Sequence, residues 1–176
     1  MRFTETKVSG AFLVDLDRRE DNRGFFARSW CTLEFQAKGL NPRIAQINVG
    51  FTAKKAGLRG LHYQVSPHQE AKTVRCTRGS VFDVVVDLRS QSPSFRGWDA
   101  FELNEENHRM LYIPEGCAHG YQTLEDSSEI EYVTSVFYSP ESARGLRFDD
   151  PSFAINWPLP VGLISETDRA WPDYKG

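Results

Sequence analysis

A guanidinium, an ammonium and two imidazoles fall in segments of this chain that otherwise read as short strands and tight turns. Arg59 and His62 lie in Arg59-Gly60-Leu61-His62-Tyr63-Gln64, and Lys72 follows shortly after. His119 sits near the end of Ile113-Pro114-Glu115-Gly116-Cys117-Ala118-His119-Gly120. Imidazoles exchange protons near neutral pH and cations steady anionic oxygen, so this set suits acid–base work on a polar substrate. Buried polar groups are expensive without partners, and ionised ones more so. A β-framework that carries several of them inward is lining a polar pocket.

The scaffold around these residues is strand after strand. Ala11–Leu16 is a short apolar run, Asp21-Asn22-Arg23-Gly24 a turn, and Phe25–Trp30 extended. Further strands are expected at Arg43–Val49, Gly57–Tyr63, Lys72–Cys76, Ala100–Leu103, Arg109–Ile113, Gly120–Leu124 and Glu129–Phe137. Val81–Leu88 is β-branched and nearly continuous, as a strand covered on both faces would be. One good short helix spans Thr32–Lys38, with Thr32 as its cap and Gly39 closing it. Many short strands with no alternating helices predict an all-β sandwich or barrel. The Pro- and Trp-rich stretch after Asp150 reads as an irregular cover, and residues 1–176 as one domain with a C-terminal arm from about 150.

Composition narrows the functional classes. With 40% hydrophobic and 12% aromatic residues the 176-residue chain can build a core. A net charge of −3 leaves no basic surplus for phosphate backbones, so no nucleic-acid partner is expected. No apolar run approaches the roughly 20 residues a membrane helix needs. Cys31, Cys76 and Cys117 are odd in number and form no metal-type pair, which suits reduced thiols in a cytoplasmic protein.

Pro114-x-Gly116-x-x-His119 resembles the second motif of the cupin jelly rolls, in which the turn aims the histidine into the barrel mouth. Metal-binding cupins also carry a first motif of two histidines and a glutamate. Here that stretch reads His62-Tyr63-Gln64, and the later charged position falls on Lys72, whose ammonium has no lone pair to give. His68 and Glu70 are the replacements on offer. A bound catalytic metal is not expected.

A more specific resemblance runs from Phe3 to Trp171. Gly57 through Gln64, Lys72-Thr73-Val74-Arg75, Asp83 through Arg89, Ser92-Pro93-Ser94-Phe95 and Ile113 through Gly120 are similar to the dTDP-4-dehydrorhamnose 3,5-epimerase family. So are Tyr138-Ser139-Pro140-Glu141, Asp149-Asp150-Pro151, Ile155-Asn156-Trp157-Pro158 and Ser165-Glu166-Thr167-Asp168, in the same order. The resemblance implies a cupin jelly roll, a homodimer, and action on a nucleotide-linked 4-keto-6-deoxy sugar without a metal or any other cofactor. Epimerising a carbon beside a ketone needs a base on one face, an acid on the other and a group to hold the enolate oxygen. By resemblance His62 is the base, Asp168 its orienting carboxylate, Tyr132 the proton donor and Lys72 the cation beside the C4 oxygen. Arg59, His119, Arg23, Gln46, Asn48 and Tyr138 match substrate contacts, the last as the ring that stacks on the base, and Arg28 falls at a further substrate-contacting position.

Each residue also has a plainer reading. Taken alone, His62 is a strand-end histidine, Tyr132 a core tyrosine and Asp168 a turn or N-cap carboxylate. Asp83, inside an apolar strand, is a structural hydrogen-bonder or the partner of a pocket cation, and the second is favoured. His68 and His108 read as surface, and Cys117 takes no role. Arg28, Ala143 and Thr167 depart from the family's usual glutamate, glutamate and lysine, which predicts altered outer substrate contacts, with Arg28 gripping a phosphate. A single-centre epimerase on a CDP-, GDP- or UDP-linked sugar, a non-catalytic sugar-binding cupin and a metal-dependent cupin stay open as alternatives.

Overall fold

Val84 and Val86 point to one side of their strand while Val81 and Val85 point to the other, and all four are fully buried. The continuous apolar run at Val81–Leu88 is therefore covered on both faces, as its composition predicts. The computed structural model describes residues 1–175; Gly176, the last residue of the expected arm, lies outside them.

Among the described residues the strands are β1 (Arg2–Glu5), β2 (Phe12–Asp15), β3 (Arg19–Asp21), β4 (Gly24–Phe26), β5 (Gln46–Thr52), β6 (Leu58–Gln64) and β7 (Lys72–Arg78). They continue with β8 (Ser80–Asp87), β9 (Trp98–Asn104), β10 (Met110–Ile113), β11 (Cys117–Thr123), β12 (Ser128–Thr134) and β13 (Ala143–Gly145). Two short helices are α1 (Thr32–Ala37) and α2 (Glu166–Arg169). The first sheet has the order β1-β2-β10-β7-β12-β5 and the second β13-β6-β11-β8-β9; β3 and β4 form a separate hairpin. The pairings are antiparallel throughout. From β5 to β8 the chain crosses between sheets at every step, so sequence neighbours face each other across the interior.

Three apolar clusters hold this arrangement. Val74, Val81, Val85, Leu111, Ile113 and Ile130 fill the space between the sheets. Phe35 of α1 packs with Val14, Met110 and Tyr112 on the outside of the first sheet. Leu61, Val84, Val86 and Ala118 meet Leu146 and Phe153 outside the second. Each fully buried aliphatic or aromatic side chain contributes about 1.5–3 kcal/mol relative to exposure. The arm is clipped down by Gln122, whose amide donates to the Leu159 carbonyl at 2.9 Å and accepts from its N–H at 3.0 Å.

Several local expectations change. Cys31, not Thr32, is the N-cap of α1, and it makes no side-chain cap hydrogen bond. Extended structure expected over Phe25–Trp30 stops at Phe26, because β3 is only three residues long and gives nothing further to pair with. His68 is not a free surface residue: its Nδ1 lies 3.0 Å from Ser142 Oγ and 3.1 Å from Ser139 Oγ. His108 packs its ring 5.0 Å from that of Phe25.

Candidate active site

Residues three apart on a regular strand point to opposite faces, yet Arg59 and His62 line the same cavity. The pairing of β6 with β11 explains how. His62 opposes His119 while Arg59 opposes Tyr121, so three steps on β6 match two on β11. Such a bulge re-aims a side chain. The backbones approach closely there: a Cβ on Gly60 would sit 2.7 Å from Gly120 Cα and from the His119 carbonyl oxygen. Gly60 also holds φ at +104°, a region that L side chains rarely adopt.

Asp168 reaches His62 from a distant part of the chain. The Leu58 N–H donates to the Leu163 carbonyl at 2.7 Å, which fastens the arm alongside the start of β6. Ser165 then caps α2, accepting from the Asp168 N–H at 3.0 Å. Asp168 is thus buried on the first turn of α2, with Oδ1 2.6 Å from His62 Nε2 and Oδ2 accepting from the Gly60 N–H at 3.3 Å. Burial pushes its carboxyl up, but the His62 contact, Gly60 and Ser165 outweigh that and hold it below the ordinary carboxylate range. An ionised carboxylate only accepts, so Nε2 carries the hydrogen and Nδ1 is the nitrogen free to take a proton.

Tyr132 stands on β12 in the first sheet, facing β6 of the second across the same cavity, which has a volume of about 630 Å³. Burial raises its phenol above 10, with the Glu70 charge adding and Arg59 opposing. It is therefore a neutral donor at ordinary pH. Lys72 begins β7 beside it, with Nζ 2.8 Å from Glu70 Oε1. His119 Nε2 lies 3.0 Å from both oxygens of Asp83, a fully buried carboxylate for which this ring is the partner. Arg59 is held by Thr52 Oγ1 at 3.0 Å and by the Phe51 carbonyl at 2.9 Å. Among the described residues no three His, Cys, Asp or Glu side chains come together in a metal-holding arrangement.

The whole chain bears comparison with known proteins. Residues 5–176 match the sequence model of the dTDP-4-dehydrorhamnose 3,5-epimerase family. The chain belongs to that family. It is 39% identical over 177 residues to the dTDP-4-dehydrorhamnose 3,5-epimerase of Methanothermobacter thermautotrophicus, covering 99% of this chain and 95% of the relative. The Shigella flexneri enzyme of that name is 40% identical, over 96% of this chain and 93% of its own. The crystal structure of the Elizabethkingia anophelis epimerase superposes with a TM-score of 0.96 at 33% identity, covering 99% of this chain and 96% of that one. A Bacillus anthracis epimerase with TDP and PPi bound gives 0.94 at 34%, over 98% and 99%. ChmJ, a 3'-monoepimerase from Streptomyces bikiniensis in complex with dTDP-quinovose, gives 0.87 at 29%, over 96% and 85%.

Membership in the epimerase family makes the protein an isomerase and its two facing sheets a cupin jelly roll. Of the residues the family pattern singles out, His62, Lys72, Tyr132, Asp168, Arg59 and His119 line one cavity, with Asp83 directly behind His119. The outer set does not. Arg23 pairs with Asp21 in its own hairpin at 2.6 Å, and Arg28 with Glu34 at 3.2 Å rather than standing free for a phosphate. Gln46 accepts from the Tyr138 N–H at 2.8 Å, which joins those two at the end of β5. Asn48 opposes Tyr132 in the β5–β12 register. Ala143 opposes Gln64 on β13, and Thr167 is exposed on α2 beside Asp168. Sequence reasoning missed Thr52 and Tyr121 in the cavity wall, and it weighed Glu70 only as a metal ligand.

Proposed function

We propose that the protein inverts both C3 and C5 of a nucleotide-linked 4-keto-6-deoxyhexose, with dTDP-4-dehydro-6-deoxy-D-glucose as substrate and dTDP-4-dehydro-L-rhamnose as product. Single-centre inversion at C3 or C5 is the second reading. His62 Nδ1 takes the proton from the carbon beside the ketone, and the C–H electron pair moves into an enolate whose charge rests on the C4 oxygen. Lys72 stabilises that oxygen. Tyr132 then donates its hydroxyl proton to the opposite face of the same carbon, and the electrons return to rebuild the carbonyl. The cycle leaves an imidazolium on Asp168 and a tyrosinate, which solvent resets. The observation that carries this reading is a carboxylate-held imidazole and a neutral phenol rising from facing sheets into one cavity.

The nucleotide end is assigned to Gln46, Asn48 and Tyr138, with Asn48 beside Tyr132 in the β5–β12 register and Gln46 bonded to Tyr138, and the active species is a homodimer. Supporting the dimer, edge strand β5 presents Ile47, Val49 and Phe51 outward at 59%, 62% and 48% exposure, an apolar row that asks for cover. Arg23 and Arg28, outside their own cavity, touch substrate if the β3–β4 hairpin of a second copy and the residues just after it reach over it. An exchange of the N-terminal strand β2 between copies is less favoured as the dimer contact, because β1 and β10 of its own chain already flank β2, so β5 is the better candidate edge. The unpaired thiols suit a reducing, cytoplasmic compartment.

Incubation with the dTDP sugar in deuterated water, followed by NMR, tests the reading. Label at C3 and C5 is the expected result, and label at one carbon supports single-centre inversion, which the likeness to ChmJ favours as the second reading. No label at either carbon, across a panel of dTDP, CDP, UDP and GDP sugars, contradicts both.

A further inference from the structure

Lys72 does not enter the cavity alone. Its Nζ lies 2.8 Å from Glu70 Oε1, and each side chain is only 10% exposed. The second oxygen, Oε2, lies 3.5 Å from Gln64 Nε2. Gln64 is buried and bonds the carbonyls of His68 and Phe137 and the N–H of Ser139, which brackets Tyr138. The carboxylate therefore ties the cation of the cavity wall to the segment that carries Tyr138.

We propose that Glu70 is a positioning residue that fixes the Lys72 ammonium in the cavity wall and balances its charge until negative charge develops on the substrate. This rests on the reading that Lys72 serves the C4 oxygen. A lysine head on a flexible four-carbon stem has many rotamers, and an ammonium taken from water needs a counter-charge to stay in place. The two imidazoles of the cavity are held in the same manner, His62 by Asp168 and His119 by Asp83. Glu70 also acts on the proton donor: its charge adds to burial in keeping the Tyr132 phenol protonated, against Arg59.

The test compares the full-length enzyme with E70Q, E70D and K72M and with the double variant E70Q/K72M, by steady-state kinetics and deuterium exchange on the dTDP keto sugar. E70Q keeps the shape and removes the charge. It is expected to lower kcat roughly 10–100-fold, as misplacing a reacting group by about an ångström does, with KM within about threefold. Its basic pH limb should move to lower pH, because a repulsion that disfavours tyrosinate is gone. E70D keeps the charge and shortens the reach, so its kcat should fall while its basic limb stays put; this arm stands if E70Q does not fold. In the K72M background, E70Q should add no further loss. An E70Q or E70D enzyme with wild-type kcat and an unmoved limb, or a loss from E70Q that carries over in full to K72M, overturns the role of Glu70 alone. A wild type that exchanges neither proton overturns this role together with the reading beneath it.

Discussion

His62 and Tyr132 are fitted for opposite tasks by what surrounds them. The imidazole has a carboxylate on one nitrogen and the cavity before the other, whereas the phenol is raised above 10 by burial and so holds its proton until a carbanion calls for it. Replacing Asp168 with asparagine leaves the shape but permits the wrong ring tautomer. Asp168→Asn is expected to lower kcat roughly 10²–10⁴-fold with little change in KM, measured by steady-state kinetics beside a thermal melt that shows the fold intact. At this scale His62, Lys72 and His119 were legible because Arg-Gly-Leu-His, a downstream lysine and Pro-x-Gly-x-x-His are distinctive in type and spacing. Tyr132 and Asp168 read alone as a core tyrosine and a turn carboxylate and stood out only through the family resemblance. Glu70 was not legible. It follows Ser66-Pro67-His68-Gln69 in a polar stretch that reads as a solvated turn, and only the folded chain brings its carboxylate to Lys72 away from water.

Strands and turns decide whether those groups meet. The bulge between β6 and β11 depends on Gly60, where a methyl would strike backbone rather than a flexible side chain. Gly60→Ala is expected to destabilise by roughly 1–3 kcal/mol and to lower activity further by displacing His62; a denaturant melt with a parallel assay reads both. Asp87 is a second fixed point. Burial pushes its carboxyl up, but Arg89, Ser92 and Ser94 hold it down to about 2 against an ordinary 3.8. Because the folded value is the lower, its contribution is complete above about pH 4 and is lost as pH falls towards 2. Acid unfolding of Asp87→Asn should therefore lack part of the wild type's loss of stability in that window, and identical acid profiles would contradict the assignment. Long strands such as β8 were legible from their β-branched runs. The three-residue β13 and the single turn α2 were not, since neither has a periodicity of its own; β13 forms by pairing with β6, and α2 by the Ser165 cap.

For the whole molecule, the jelly roll holds a cavity of about 630 Å³ between its sheets and leaves β5 as a sheet edge beside it. Val49→Lys puts a charge in the middle of that apolar row. Analytical ultracentrifugation is expected to find the wild type dimeric and this variant monomeric with reduced activity, and a wild type that sediments as a monomer would contradict the dimer. The outer contacts were the least legible part, because Arg23 lies in the β3–β4 turn and Arg28 just beyond β4, neither of them in the lining of the chain's own cavity, and no single-chain spacing says what they meet. The most direct measurement follows the substrate in deuterated water with two variants side by side. With Tyr132→Phe the base still works, so deuterium should enter at the epimerised carbon with its configuration retained. With His62→Asn neither exchange nor inversion should occur. Inversion at the wild-type rate by Tyr132→Phe, or continued exchange by His62→Asn, would contradict two-faced proton transfer.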